Sequence, residues 1–413
     1  MVAVRARKVV RDQRRKLLMR VLHVIPSVDE RSGGPATAIV PMCRALKQHG
    51  VEVLLVSTNA GMEHDESVSE YKGVPARFFP IQLGESFKYS RPLSSWLNSN
   101  IQQFDLAHIH AVFNHSSIVA AHVCRKARVP YIVRPLGTLE PWSMTQKSLR
   151  KRVFWQLSAK GMLRRAAAIH YTTEAEKLTT ERLLGLNHGK VIALGIDANS
   201  AVSSARARLE HHFPALANEP YALVLSRLHP KKGLDVLIDA FLSLVQTRSF
   251  AHWRLVIAGD GPADYVLKLK TMVGSSSQRD RILFTGWLDG GKKDAVLSGA
   301  SLLVLPSHQE NFGLCVLEAL SHSVPVLVSP HVNLAEEIVL ANAGWIATVD
   351  KDTLISRLSE ALGDEEERAR RGHAGKELSQ KYSWDTAAKK LVDLYKQLTL
   401  PLLCLLLCLF VAQ

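Results

Sequence analysis

The sequence has few cysteines, and their spacing argues against two classes of small, cross-linked protein. Five occur among 413 residues, and none forms a CxxC pair. They are Cys43, Cys124, Cys315, Cys404 and Cys408. An odd, sparse set predicts reduced thiols instead of a disulfide framework, and the missing pairs argue against a zinc knuckle. The cysteines therefore favour a cytoplasmic protein.

The sequence also lacks a long apolar run. The basic N-terminus is not followed by the apolar segment of a secretory signal. The one nearly continuous apolar stretch, Leu398 to Ala412, is shorter than the ~20 residues that span a bilayer. This tail would lie in a membrane interface, dock in a groove or arise from an altered reading frame. We expect a cytoplasmic protein, with a peripheral position on the inner face of the plasma membrane left open.

Acidic residues are fewer than basic ones. Lys and Arg total 52 against 38 Asp and Glu, a net charge of +14. Residues 1–18 contribute +6 of this excess, which leaves +8 for the rest of the chain. A basic surface favours anionic partners such as nucleotide phosphates or an anionic membrane surface. Nucleic acid would explain the charge but no other feature, so no nucleic-acid partner is expected.

Short β-rich runs alternate with amphipathic stretches along most of the chain, which predicts parallel sheets with helices on both faces. The alternation stops over 198–220, interpreted as an interdomain linker. The predicted fold class is α/β, with two Rossmann-like doubly wound domains facing a cleft. The domains are predicted at 19–200 and 218–383. A basic, disordered extension at 1–18, a helix at 384–398 and an apolar tail at 398–413 complete the chain.

Ligands of open α/β sheets bind beyond the carboxyl ends of the strands, so the loops after strands are the first candidates for a site. Arg227 and Lys232 follow one predicted strand, and Gly233 opens the next helix. Arg can hold phosphate oxygens through two hydrogen bonds, and Lys acts as a point charge. Together they could balance a departing diphosphate. The alternative is a solvated basic loop.

A second loop follows the predicted strand Leu302–Leu305. It contains Glu310, Phe312 and Gly313, and the next helix carries Leu314 and Glu318. The start of that helix would direct free N–H groups at a ligand. Glu310 could accept hydrogen bonds from a sugar, and Glu318 could bind a ribose. The alternative is two ordinary helix charges, but a lone carboxylate in an apolar helix is costly unless a ligand or partner satisfies it.

Two further features are weaker alone. Gly33 and Gly34 follow the first predicted strand and could cradle a phosphate or simply form a turn. Four histidines cluster in the first half of the chain: His108, His110, His115 and His122. Three of them could bind zinc, but no familiar ligand spacing accompanies them. We favour His110 as a hydrogen-bonding residue of the cleft and predict no metal site.

The segment Gly259-Asp260-Gly261 looks like the start of a dinucleotide fingerprint. The third glycine is missing, because position 264 is Asp. The acidic residue that should end a following strand is also missing, since Asp280 precedes its strand. A nicotinamide-dependent dehydrogenase is therefore disfavoured.

Taken in order, these motifs resemble the retaining glycosyltransferases of family 4, which have the GT-B fold. The resemblance runs from Met19 to about Gln397 and is most specific at three segments: Ser226-Arg227-Leu228 with Lys232-Gly233, Gly259-Asp260-Gly261, and Pro306-Ser307 leading to Glu310 and Glu318. The segments 136–142 and 332–337 look like a subgroup that builds bacterial surface polysaccharides. The family also has a closing helix that returns to the N-terminal domain, which the chain from Trp384 resembles.

The resemblance implies a role for each matching residue. Arg227 and Lys232 would hold the donor diphosphate, Glu310 would contact the transferred sugar and Glu318 would bind the ribose. The backbone at Phe312, Gly313, Leu314, Gly33 and Gly34 would approach the phosphates and substrates. The family needs no metal and no other cofactor, and it retains the anomeric configuration. Two positions depart from the pattern: the subgroup often has His where this chain has Leu136, and family members usually have Asn where it has Leu194.

The sequence thus predicts a hexosyltransferase that moves a sugar from a UDP- or GDP-sugar to a glycan acceptor, expected to be lipid-linked. Two alternatives remain open at this point. One is a sugar-nucleotide epimerase on the same fold, and the other is a non-catalytic GT-B binding protein, which the departures at Leu136 and Leu194 would suit.

Overall fold

The computed structural model describes residues 18–62, 69–84, 87–140, 143, 154–197, 205–216 and 218–411. It separates into two compact units. Unit 1 comprises Met1–Gly195 and Trp384–Gln413, and unit 2 comprises Ile196–Ser383. The extension predicted at 1–18 lies outside the described residues except for its last residue.

Unit 1 is built on an eight-stranded sheet in the order β3-β4-β2-β1-β5-β6-β7-β8. All neighbours are parallel except β3 and β4. The strands are β1 Arg20–Val24, β2 Glu52–Thr58, β3 Glu70–Tyr71, β4 Val74–Phe79, β5 Leu106–His110, β6 Tyr131–Arg134, β7 Ala168–Tyr171 and β8 Gly189–Val191. Strands β5, β6 and β7 are buried along their whole length, as expected for a parallel sheet covered on both faces.

The helices of unit 1 begin at recognisable caps. The side chains of Ser90, Asn114 and Thr173 each accept a hydrogen bond from a backbone N–H in the first turn. The helices are Gly34–Gln48, Arg91–Asn100, His115–Ala127, Lys160–Arg164, Glu174–Leu184 and Trp384–Val411, with a π-helical turn over Trp155–Ala159.

The last helix belongs to unit 1 although it follows unit 2 in sequence. Its residues Leu391 and Tyr395 are fully buried, and Asp385 pairs with His49 at 2.7 Å. The sequence predicted a helix ending at Leu398 and a separate tail. The structure corrects this, because one helix runs from Trp384 to Val411 through Pro401. Within the described parts of the chain, no helix combines the length and apolarity that crossing a bilayer requires.

Unit 2 contains a six-stranded, fully parallel sheet in the order β11-β10-β9-β12-β13-β14. The strands are β9 Tyr221–Leu225, β10 Arg254–Ala258, β11 Ile282–Gly286, β12 Leu302–Leu305, β13 Val326–Val328 and β14 Gly344–Ile346. Numbered within the unit, this order is 3-2-1-4-5-6, the doubly wound arrangement that binds nucleotides where the strand order reverses. That point lies between β9 and β12.

The helices of unit 2 cover its sheet. They are Ala205–His212, Leu234–Leu244, Ala263–Gly274, Gly290–Gly299, Leu314–Ser321, Ala335–Leu340, Lys351–Gly363 and Glu365–Ser379. The first lies inside the predicted linker, and the structure corrects that interpretation. Leu209 is 5% exposed and packs at Gly299, where a Cβ would collide with its side chain. The segment is therefore part of unit 2.

Candidate active site

Both loops that the sequence singled out in unit 2 lie at the reversal point of the sheet. The loop after β9 carries Arg227 and Lys232, and the loop after β12 carries Glu310. Because β9 and β12 are neighbours, their carboxyl ends bring these loops together. The backbone joins them directly, since the His308 N–H donates to the Lys231 carbonyl at 2.8 Å.

The loop after β9 is held in place by glycines. Gly233 has a φ of 64° and lies so close to β12 that a Cβ there would collide with the Pro306 carbonyl oxygen. Cβ atoms at Gly259 and Gly261 would collide with the carbonyl oxygens of Ser226 and Leu228. The segment Gly259-Asp260-Gly261, which looks like the start of a dinucleotide fingerprint, therefore packs against the backbone of the loop that carries Arg227.

The loop after β12 is fixed from its other side. The Glu310 N–H donates to the His331 carbonyl at 2.9 Å, and the Glu310 carbonyl accepts from the Asn333 N–H at 3.0 Å. Phe312 is buried, with its ring edge-on to Tyr382. Gly313, at a φ of 76°, caps the helix Leu314–Ser321. The turn thus presents a helix N-terminus beside Glu310, as the sequence predicted.

Lys232 and Glu310 form an ion pair across the two loops, and both side chains are mostly buried. Burial alone would raise the pKa of Glu310. The ammonium of Lys232, with Lys231 and Arg227 adding to it, outweighs burial and lowers that pKa below its usual range. Glu310 is therefore an ionised hydrogen-bond acceptor at neutral pH. Arg227 is exposed, so its guanidinium is accessible to an anion.

Glu318 also has a partner, which the sequence argument missed. Its Oε1 lies 2.6 Å from Nζ of Lys293, on the helix Gly290–Gly299, and both side chains are about one quarter exposed. The sequence argument left two possibilities for this carboxylate, a ligand or a partner, and the structure supplies a partner. Burial lowers the pKa of Lys293, but Glu318 more than offsets this and the net shift is upward. Glu318 is thus positioned by a lysine from a neighbouring helix.

The glycine loop of unit 1 occupies the matching place in its own sheet. The order of strands reverses between β1 and β5, and the loop follows β1. Gly33 has a φ of 112° and caps the helix Gly34–Gln48. The Thr37 hydroxyl donates to the Gly34 carbonyl at 3.0 Å. Gly33 and Gly34 therefore stand at a helix N-terminus, where an anion is favoured.

His110 does not line an open surface, which corrects the sequence prediction. It is fully buried with His23, His108 and His170. Burial, followed by nearby positive charge, lowers the pKa of His23 and of His170 to about 3. Burial likewise lowers the pKa of His108 and of His110 well below the usual value. All four imidazoles are neutral at physiological pH.

The nitrogens of His23, His108 and His110 lie within 4.8 Å of one another, a spacing compatible with a metal ion. The hydrogen bonds favour another arrangement. His170 Nε2 must donate to the Ile192 carbonyl, so its Nδ1 accepts from His108 Nε2. His108 Nδ1 then accepts from the Tyr395 hydroxyl at 2.7 Å. Both nitrogens of neutral His108 are used, which leaves it no lone pair for a metal.

Two family profiles match the chain, one in each unit. The profile described as "Glycosyl transferase 4-like domain" matches residues 33–195, and "Glycosyl transferases group 1" matches residues 208–378. The chain belongs to the family 4-like glycosyltransferases of GT-B fold. Both matched regions include the loops described above.

Several curated proteins are similar in sequence. A sulfoquinovosyl transferase of Arabidopsis thaliana is 25% identical over 90% of this chain and 72% of its own. A glycosyltransferase of Methanocaldococcus jannaschii is 32% identical over 43% of this chain. An alpha-D-kanosaminyltransferase of Streptomyces kanamyceticus is 28% identical over 58%. The aligned region spans 45% and 62% of the last two proteins. None of these relatives is named an epimerase.

Solved structures agree on the fold. HepE of Anabaena, solved in complex with UDP and glucose, has a TM-score of 0.75 at 21% identity and covers 92% of this chain and 100% of its own. Sucrose-phosphate synthase of Thermosynechococcus elongatus has a TM-score of 0.75 at 19% identity, over 92% of this chain and 99% of its own. The predicted fold class is confirmed.

Proposed function

We propose that this chain is a retaining hexosyltransferase that moves a sugar from a UDP- or GDP-sugar to a glycan acceptor. The observation that carries the proposal is the Lys232–Glu310 pair at the reversal point of the unit 2 sheet. Lys232 offers a positive charge to a diphosphate, and the ionised Glu310 beside it can accept hydrogen bonds from sugar hydroxyls. HepE, of the same fold, was solved with UDP and glucose, which supports this donor class.

In the proposed reaction, Arg227 and Lys232 neutralise the charge that builds on the leaving diphosphate. The N-terminus of the helix Leu314–Ser321 adds its dipole, with the backbone of Phe312, Gly313 and Leu314 close to the ligand. Glu310 orients the transferred sugar, and Glu318 binds the ribose hydroxyls. These groups would replace a metal, so no metal or other cofactor is required. Retention would follow from attack on the face that the diphosphate leaves.

The acceptor is proposed as a glycan, lipid-linked, in the synthesis of a bacterial surface polysaccharide. The support is the likeness of segments 136–142 and 332–337 to that subgroup, and the basic charge of the chain. An acceptor in a membrane suits a cytoplasmic enzyme that is peripheral to an anionic inner face. Gly33 and Gly34 would lie where acceptor and diphosphate approach unit 1.

A donor panel tests the proposal. UDP-, GDP- and ADP-sugars are screened for thermal stabilisation of the full-length protein, since a ligand that binds the folded state raises its apparent stability. Transfer is then assayed with the stabilising donor, with and without EDTA. We expect Lys232→Ala and Glu310→Gln each to lower kcat/KM by about 10²- to 10³-fold, and EDTA to have no effect.

The controls are matched by residue type. Lys268→Ala removes an exposed lysine paired with Asp235, and Glu366→Gln changes an exposed carboxylate in the first turn of the helix Glu365–Ser379. Both should retain wild-type rates. Full turnover by Lys232→Ala and Glu310→Gln would refute the assigned site, and no stabilisation by any sugar nucleotide would favour a non-catalytic binding protein.

A further inference from the structure

Unit 1 contains a cavity that the transferase chemistry does not use. It has a volume of about 300 Å³ and is open to solvent. It is lined by Cys124, Arg125, Arg128, Val129, Pro130, Tyr131, Arg165 and Ala167. These residues lie at the end of the helix His115–Ala127 and just before β6 and β7. The cavity, here the arginine pocket, is therefore at the amino ends of the strands, and the Gly33–Gly34 loop is at a carboxyl end.

The polar lining of the arginine pocket is dominated by positive charge. Arg125, Arg128 and Arg165 supply three guanidinium groups, and no acidic residue lines the cavity. All three are exposed, and none takes part in an ion pair that the structure describes. Lys126 and Arg164 are exposed in the same two segments. Like charges gathered in a concavity repel one another unless an anion balances them.

The floor of the pocket is a neutral surface. The Tyr131 hydroxyl donates its proton to the Met162 carbonyl at 2.8 Å. Burial raises the pKa of Tyr131 to about 12, against the opposing effect of Arg125 and Arg165, so the phenol stays uncharged. Burial also raises the pKa of Cys124 to about 12, so its thiol stays protonated. No lining group offers a negative charge to the guanidiniums.

Arg128 occupies a position where its residue type is unusual. It caps the C-terminus of the helix His115–Ala127 with φ 58° and ψ 30°, in the left-handed region. Helices commonly end there with glycine, because a Cβ disfavours this conformation. The Val129 N–H still donates to the Cys124 carbonyl at 2.9 Å, as in a glycine-capped helix. The guanidinium of Arg128 is thus placed at the cavity against the local backbone preference.

We propose that the arginine pocket binds a phosphate group, carried by a soluble phosphate or by an anionic lipid headgroup. Three guanidiniums in a concave site offer the forked donors that match phosphate oxygens. The site does not depend on the transferase reaction, since it lies at the amino ends of the unit 1 strands and the glycine loop lies at the carboxyl end of β1. Its failure and the failure of the proposed function are therefore separable.

The test uses a variant that should not damage the fold. Arg128→Gly removes one guanidinium and gives the backbone the residue that this helix end prefers, so its melting temperature should match or exceed that of the wild type. Arg165→Gln removes a second guanidinium from a different segment. Lys126→Gln is the control, because it removes one charge from the same helix turn without lining the cavity.

Inorganic phosphate is titrated into the full-length protein at constant ionic strength, and the amide signals of Val129 and Ala167 are followed by NMR. Both residues line the arginine pocket, so their signals distinguish phosphate bound there from phosphate bound in unit 2. We expect saturable shifts in the wild type, at least tenfold weaker binding in Arg128→Gly and Arg165→Gln, and less than a threefold change in Lys126→Gln. Wild-type titrations in both pocket variants would overturn the proposal.

A second arm identifies the source of the phosphate. Flotation is measured with vesicles of phosphatidylglycerol in phosphatidylcholine and with phosphatidylcholine alone. Binding to the anionic vesicles that falls in Arg128→Gly but not in Lys126→Gln supports a lipid headgroup. Equal flotation of all variants, together with the phosphate result above, supports a soluble phosphate. Equal flotation of all variants, with no phosphate-induced shifts at Val129 and Ala167, would show that the arginine pocket does not bind phosphate.

Discussion

Lys293 shows how a residue outside every motif can shape the candidate site. Its Nζ lies 2.6 Å from Oε1 of Glu318. Lys293 belongs to a helix that begins 28 residues before Glu318. Glu318 was found because a carboxylate in an apolar helix is conspicuous. Lys293 lies among other charged residues in Gly290–Gly299, so its sequence gives no such signal. Only the folded sheet brings the two helices together, and the partner of Glu318 could not be predicted.

The pair predicts a measurable coupling. Lys293→Ala leaves a mostly buried carboxylate without its counter-charge, and Glu318→Ala leaves a mostly buried ammonium. Each side chain is about one quarter exposed, so solvent partly screens the pair. We therefore expect a coupling free energy of about 1 kcal/mol in a double-mutant cycle measured by urea unfolding. Additive effects of the two substitutions would contradict the pair. The exposed pair Arg357–Glu360 is the control and should couple less.

At the scale of elements, Tyr395 connects the last helix to the buried histidines of unit 1. Its hydroxyl donates to His108, and the chain of hydrogen bonds continues through His170 to the Ile192 carbonyl. Four separate segments of the chain, around residues 108, 170, 192 and 395, therefore share one polar network. Such a network fixes the position of a helix more narrowly than apolar contacts alone, because each donor needs one particular acceptor.

Tyr395→Phe should weaken the attachment of this helix. The substitution leaves the buried His108 Nδ1 without a donor, at a cost of about 1–3 kcal/mol. We expect faster amide hydrogen exchange over residues 384–399, measured by mass spectrometry. Tyr221→Phe removes a comparable buried bond, to the Val296 carbonyl in unit 2, and should leave that exchange unchanged. Unaltered protection of residues 384–399 in Tyr395→Phe would show that the hydroxyl does not anchor the helix.

The elements divide clearly into those that the sequence predicted and those that it did not. The strand Leu302–Leu305 was placed correctly, because buried parallel strands are continuous apolar runs. The helix Ala205–His212 was missed, since its residues are mostly polar or small and show almost no amphipathic periodicity. It is held by packing of Leu209 against the helix Gly290–Gly299, which local sequence does not encode.

Across the whole molecule, alternation of strands and helices was enough to predict two doubly wound units. The same pattern predicted which loops matter, because Arg227, Glu310 and Gly33 all follow strands next to a reversal of strand order. The histidines were interpreted less well. His110 has a polar side chain at the end of a strand, which suggested a surface role, but burial places it inside unit 1. Burial of a polar residue depends on neighbours from distant strands.

The buried histidines should make unit 1 sensitive to acid. In the folded protein their pKa values lie far below the ordinary value of about 6.5. For His23 and His170 the folded pKa is about 3. Below pH 6.5 the unfolded chain therefore binds protons that the folded chain cannot accept. The stability that neutral burial allows is fully present above pH 6.5 and is lost as the pH falls. For His23 and His170, whose folded pKa is about 3, the loss in the free energy of unfolding between pH 7 and pH 5 should be about 2 kcal/mol each.

Native-state hydrogen exchange of the amides of β5 measures this loss directly, because β5 carries His108 and His110 at the centre of the unit 1 sheet. After correction for the intrinsic pH dependence of exchange, the opening free energy at residues 106–110 should fall steeply between pH 7 and pH 5. Replacing His373, which is 80% exposed, with Gln should not alter the profile. An opening free energy that is the same at both pH values would mean that these imidazoles accept protons without unfolding, against the neutral hydrogen-bond chain that links Tyr395 to Ile192.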